Sequence, residues 1–143
     1  MQLKDIMTRD PVVLRPDSTL KEAAQRMREI DSGVMPVGED DRLLGMLTDR
    51  DITIRATAEG KDPNNTPVRE VMTPEVVYGF EDDDVRDAAR KMEEHQVRRL
   101  IVLNRDKRLA GIVALGDIAV HAPSDQLAGE ITEAVSEPGN VER

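Results

Sequence analysis

Gly45-Met46-Leu47-Thr48-Asp49-Arg50-Asp51-Ile52 returns later in the chain, looser, as Gly111-Ile112-Val113-Ala114-Leu115-Gly116-Asp117-Ile118, and Ile6-Met7-Thr8 returns as Val71-Met72-Thr73. A period of about 65 residues is longer than the roughly 20–50 residues of a solenoid unit. Each copy is therefore expected to be a small α/β unit that needs its twin to complete a core. The cleft between twins is the place to look for a ligand.

An offset of 65 pairs Met7 with Met72, Thr8 with Thr73, Asp17 with Asp82, Ala23 with Ala88, Met27 with Met92 and Val37 with Val102. One extra residue then enters the second copy. An offset of 66 pairs Leu43 with Leu109, Gly45 with Gly111 and Asp51 with Asp117. Matches in register with a single gap point to duplication.

Each copy changes hydrophobic period in the same order. Val12-Val13-Leu14 is a short β run. Thr19-x-x-Glu22 is a capping-box pattern, and Leu20, Ala23, Ala24, Met27 and Ile30 follow on one helical face, closed by Gly33. Val34 to Val37 and Leu43 to Thr48 read as strands joined by the polar turn Gly38 to Asp41, and a second helix runs from Ile52 to near Gly60. The second copy repeats this with a strand at Val76 to Tyr78, a helix from Asp84, strands at Leu100 to Leu103 and Leu109 to Ala114, and a helix from Gly116. The expected unit is β-α-β-β-α, twice. Residues 1–61 form the first repeat, 62–67 a linker rich in turn formers, and 68–122 the second repeat. Residues 123–143 are a C-terminal helix and tail, with Leu127, Ile131 and Val135 on one narrow apolar stripe.

Composition narrows the function classes. With 38% hydrophobic residues, one Tyr, one Phe and no Trp, the core must be aliphatic. The net charge of −9 disfavours nucleic acid and anionic membranes. No apolar run reaches the roughly 18 residues of a membrane span, and Met1 to Asp5 opens no signal-peptide pattern, so a cytoplasmic location is expected. The absence of Cys removes disulfides and thiolate chemistry. Glu81-Asp82-Asp83-Asp84 reads as helix-dipole partners and a cap rather than a metal site, and His95 and His121 have no second ligand at metal spacing. No nucleophile–base pair or phosphate-binding glycine loop is present, so no enzyme is expected.

The Met-Thr opening of each copy, Asp17-Ser18-Thr19-Leu20 with Glu22-Ala23, the Gly-x-x-Thr-x-x-Asp of Gly45 to Asp51, and Val97-Arg98-Arg99-Leu100 resemble the CBS-domain family over about residues 1–122. The arrangement resembles a tandem CBS pair, or Bateman module. Thr48-Asp49-Arg50-Asp51-Ile52 and Glu93 to Arg99 look like stand-alone bacterial pairs of the hypoxic response type.

The resemblance implies a mixed α/β (α+β) fold. Its two pseudo-twofold-related β-α-β-β-α repeats pack through their sheets and leave two clefts for adenosine nucleotides. It implies that Asp51 accepts the ribose hydroxyls and Thr48 reaches the phosphate. Arg98 and Arg99 of the facing copy would neutralise phosphates, and Leu100, Thr73 and Val77 would complete the first cleft. A carboxylate suits a vicinal diol because it presents two acceptors to two donors. The second cleft would use Asp117, Thr8, Val13 and Met35, but Ala114 stands where the hydroxyl belongs and Val34 where Arg99 has its counterpart. It is expected to bind weakly or stay empty. On the residues alone, Asp51 and Asp117 are equally readable as N-caps, and Arg98 and Arg99 as solvated charges.

Two functions follow. One is a non-enzymatic regulatory or sensor module, needing no cofactor, that binds AMP, ADP, ATP or S-adenosylmethionine and signals through a conformational change to an unidentified protein partner, with the chain as a homodimer. The other is a ligand-independent interaction module of stress response whose clefts are vestigial.

Overall fold

The computed structural model describes residues 1–74 and 76–121, so the expected C-terminal helix with Leu127, Ile131 and Val135 lies outside the described residues. The described chain divides into two compact units, one of Met1–Pro11 with the residues from Val77 onward, the other Val12–Val76. These units do not coincide with the sequence copies. The leading segment of each copy belongs to the body of the other.

Equivalent hydrogen bonds make that exchange. The Leu3 N–H donates to the Asp83 carbonyl (3.0 Å), and the Val68 N–H, 65 positions on, donates to the Ser18 carbonyl (2.7 Å). Likewise the Val85 N–H donates to the Met1 carbonyl (3.0 Å) and the Leu20 N–H to the Thr66 carbonyl (3.0 Å). Short 3₁₀ turns at Leu3–Asp5 and Val68–Glu70 bury Leu3 and Val68 completely.

The unit of Val12–Val76 holds helix α1 (Leu20–Ile30), strands β2 (Val34–Glu39) and β3 (Arg42–Thr48), and a short helix α2 (Asp49–Asp51) that widens into a π-helical turn over Ile52–Thr57. Strands β2 and β3 pair antiparallel around Asp40 and Asp41, both at positive φ as a tight two-residue hairpin turn requires. Single bridges flank the hairpin, from Leu14 to Val37 and from Thr73 to Met46. The core is aliphatic, with Leu20, Met27, Met35, Leu47, Val68 and Val71 packed together.

The other unit carries β1 (Thr8–Arg9), β4 (Tyr78–Phe80), α3 (Val85–His95), β5 (Arg99–Leu103), β6 (Leu109–Ala114) and α4 (Leu115–His121). Its sheet has the order β1-β6-β5-β4, antiparallel except for the parallel β4–β5 pair. Thr8 pairs with Ile112 and Gly79 with Val102, the same register as Thr73 with Met46 and Leu14 with Val37. Leu3, Met7, Met92, Leu100, Val113 and Ile118 form the core.

Several local expectations need correction. Val12 to Leu14 supplies one bridge rather than a strand, and the strand expected at Val76 to Tyr78 lies at Tyr78–Phe80. Asp31, not Gly33, closes α1 in the left-handed region (φ 53°), and Gln96 does the same for α3. At Gly33 a Cβ would come within 2.6 Å of Asp49 Oδ2, the end of an exposed side chain that would have to turn aside. Ala24 and Ile30 are exposed, so the buried stripe of α1 is Leu20, Ala23 and Met27. The expected capping box of α1 forms its Thr19 half, with the Glu22 N–H donating to Thr19 Oγ1 (3.2 Å).

Candidate functional site

Strand β3 ends at Thr48, and the chain turns at once into α2. Thr48 is extended and caps the helix: the Asp51 N–H donates to Thr48 Oγ1 (3.0 Å), and the Thr48 N–H donates back to Asp51 Oδ2 (3.1 Å). This reciprocal pair is a capping box, so the N-cap is Thr48 and Asp51 is the third helical residue, not the cap itself. Both side chains are buried, Thr48 at 6% and Asp51 at 4% exposure.

Burying a carboxylate is costly unless it is hydrogen-bonded and paired. Asp51 has both kinds of partner. The Thr73 hydroxyl, brought in where the leading segment bridges β3 at Met46, donates to Oδ2 at 3.5 Å. Arg55, one turn along, places Nε 3.8 Å from Oδ1. The described hydrogen bonds to the carboxylate thus converge on Oδ2, while Oδ1 faces a half-exposed cation.

The close approach of Thr73 explains a duplicated glycine. A Cβ on Gly45 would stand 2.7 Å from the Thr73 carbonyl oxygen, and one on Gly111 would stand 2.7 Å from the Thr8 carbonyl oxygen. Only glycine lets the leading segment cross the strand there.

The second copy keeps half of this arrangement. The Ala114 N–H donates to Asp117 Oδ2 (3.2 Å), so the backbone half of the box persists without the hydroxyl. Asp117 is exposed, and His121 occupies the position of Arg55. Thr8 is exposed on β1, Arg98 is exposed and Arg99 half-buried at the start of β5. Leu100 is wholly buried in the core of that unit, against which Val77 packs. In the Val12–Val76 unit, Met35 is wholly buried in the core and Val13 is exposed.

Of the residues singled out from the sequence, the structure brings Thr48, Asp51 and Thr73 together. Arg55 was missed as a site residue. Its signal was the i, i+4 spacing from Asp51 on a helix, which places two side chains side by side.

The acidic run has other employment. Asp84 caps α3, accepting from the Arg86 N–H (2.8 Å), and Asp83 accepts from the Phe80 N–H (2.8 Å). Asp82 is held by Arg105 through Nε (3.0 and 3.1 Å) and Nη2 (2.8 Å), and that guanidinium lies 4.2 Å over the Phe80 ring. The hydrogen bond from Arg105 holds the Asp82 carboxyl below its ordinary pKa. Among the described residues no group of three or more His, Cys, Asp or Glu side chains could hold a metal ion, and no helix is long and apolar enough to cross a membrane.

The CBS domain family model matches residues 3–56 and 68–123. The chain is 44% identical over 134 residues to the CBS domain-containing protein YhcV of Bacillus subtilis, and 41% identical over 136 residues to hypoxic response protein 1 of Mycobacterium tuberculosis. Each alignment covers 94% of both chains. Among solved structures, hypoxic response protein I with two coordinated zinc ions superposes with a TM-score of 0.79 at 44% identity, covering 86% of this chain and all of that one. CBSX2 in complex with AMP superposes with a TM-score of 0.74 at 25% identity, covering 85% and 95%. The CBS domain pair of MJ0100, with 5-methylthioadenosine and S-adenosyl-L-methionine, superposes with a TM-score of 0.73 at 27% identity, covering 85% and 98%.

Proposed function

Because the chain belongs to the CBS-domain family and carries two CBS domains, we propose that it is a non-enzymatic regulatory module that binds an adenosine-containing nucleotide through Asp51 and Thr48. The observation that carries this reading is the buried Asp51 carboxylate. Its Oδ2 is engaged by the Thr48 N–H and the Thr73 hydroxyl, and its Oδ1 is turned elsewhere. A vicinal ribose diol brings two O–H donors, and a carboxylate accepts both in charge-assisted bonds. AMP, 5-methylthioadenosine and S-adenosylmethionine, the ligands of the similar CBS structures, differ at the 5′ position and share that diol. The Thr48 hydroxyl, at the start of α2, is the group proposed to meet the 5′ substituent.

Arg98 and Arg99 are proposed to interact with phosphate oxygens, for which a planar guanidinium is well suited. The Asp117 half lacks the hydroxyl at Ala114 and is proposed to bind weakly. Ligand binding is proposed to shift a conformational equilibrium, which requires different affinities for the two states, and to be read by a partner protein.

The capping box favours a second reading. Thr48 and Asp51 satisfy each other so fully that both can be explained as structure alone, leaving a ligand-independent interaction module. Calorimetric titration with AMP, ADP, ATP and S-adenosylmethionine separates the two readings. Asp51→Asn is the companion variant, because an amide oxygen can still accept the Thr48 N–H. We expect binding by the wild type and a loss of about tenfold or more in Asp51→Asn. Failure of all four ligands to bind at millimolar concentration supports the second reading.

A further inference from the structure

We infer that Arg55 is a positioning residue for the diol acceptor: held by backbone carbonyls beside Asp51, it sets a cation near the carboxylate while leaving Oδ1 open, so that the affinity gained from ribose hydroxyls depends on Arg55. This inference rests on the ribose role proposed for Asp51.

The guanidinium faces two ways. Nε lies 3.8 Å from Asp51 Oδ1, too far for a strong hydrogen bond but close enough to stabilise the charge. Nη1 donates to the carbonyl oxygens of Val71 and Met72, each at 3.5 Å, in the segment that also delivers Thr73 to Oδ2. Arg55 is therefore anchored away from the carboxylate. An arginine that clamped Asp51 bidentately would consume the acceptors a diol needs. This one stands beside the carboxylate without taking up Oδ1, the oxygen that the Thr48 N–H and the Thr73 hydroxyl also leave open.

A neutral diol brings no charge of its own. When it covers Asp51 it removes remaining water from a carboxylate already 4% exposed, and the ion must then be stabilised by the protein. The Thr48 N–H and Thr73 hydroxyl contribute dipoles; Arg55 is the cation described beside this carboxylate.

The backbone supports the same assignment. Arg55 sits in a π-helical turn, closed by the Ala58 N–H to the Thr53 carbonyl at 3.0 Å, whereas the second copy continues as the regular helix α4. π-Helical turns recur at functional sites. The second copy has His121 in place of Arg55 and an exposed Asp117, so the device belongs to the Asp51 half alone.

The test compares AMP with 2′,3′-dideoxy-AMP, which lacks the diol, by calorimetry on the wild type, Arg55→Met and Arg55→Lys, with folding checked by thermal melting. The wild type is expected to prefer AMP. Arg55→Met should lower that preference about fivefold or more, with the dideoxy affinity little changed, and Arg55→Lys should restore part of it. A purely structural role for Arg55 would weaken both ligands alike and leave the preference unchanged, which overturns the inference. Should the wild type bind both equally, the ribose role of Asp51 falls first. The Arg55 link is then judged by amide hydrogen exchange in the ligand-free protein. Faster exchange at the Thr73 amide in Arg55→Met, with the α1 amides unchanged, sustains the anchor, and unchanged exchange at Thr73 removes it.

Discussion

Gly45 and Gly111 show how one residue can carry a fold-level constraint. At each a Cβ would press to within 2.7 Å of a backbone carbonyl oxygen of the crossing segment, and backbone cannot rotate away as a side chain can. Gly45→Ala and Gly111→Ala are each expected to lower stability by about 1–3 kcal/mol, measured by urea unfolding. An effect within experimental error would mean the crossing segments are not held so closely. Both glycines were visible in the repeat, but the reason for them was not, because the segment that approaches comes from the other copy. Thr48 and Asp51 were legible as a pair for the opposite reason: their contact is local, between residues three apart. Met35 and Leu100, which the resemblance implies as cleft residues, are each fully buried in the core of their own unit.

At the scale of elements, the two principal helices were legible because an apolar face recurs at helical spacing over eleven residues each. Their ends were not. Gly33 was the natural candidate for a left-handed terminus, but α1 closes two residues earlier at Asp31, and Gln96 closes α3 at the equivalent place. A non-glycine residue at φ 53° is strained by about 1 kcal/mol. Gln96→Gly is therefore expected to raise the midpoint of urea unfolding, by a stabilisation of up to about 1 kcal/mol. A lower midpoint would show that the Gln96 side chain contributes more than its backbone strain costs. Strands that make one bridge, such as Leu14 with Val37, escape a periodicity reading because a single pair leaves no alternation to detect. The π turn after Asp51 was equally invisible, since no side-chain pattern separates it from an α-helix of the same length.

For the whole molecule, duplication was plain in the sequence and the exchange of leading segments was not. Backbone hydrogen bonds carry that exchange, and backbone is the same for every residue. Val68 and Val71, wholly or nearly wholly buried, belong to the core around α1 although they follow the first copy in sequence. A fragment of residues 1–61 lacks them and should stay unfolded, whereas a fragment of residues 12–76 contains a complete unit and should unfold cooperatively, if marginally at that size. Circular dichroism with urea decides this. Cooperative unfolding of 1–61 would contradict the exchanged arrangement.

Asp51 is proposed as the ribose acceptor of a regulatory nucleotide site. A crystal structure of the protein grown with AMP tests it most directly. Both ribose hydroxyl oxygens are expected about 2.5–3.0 Å from the Asp51 carboxylate oxygens, with the Thr48–Asp51 capping box intact and Arg55 still directed at the carbonyls of Val71 and Met72. An AMP molecule bound with its ribose away from Asp51, or none bound at all, would contradict it.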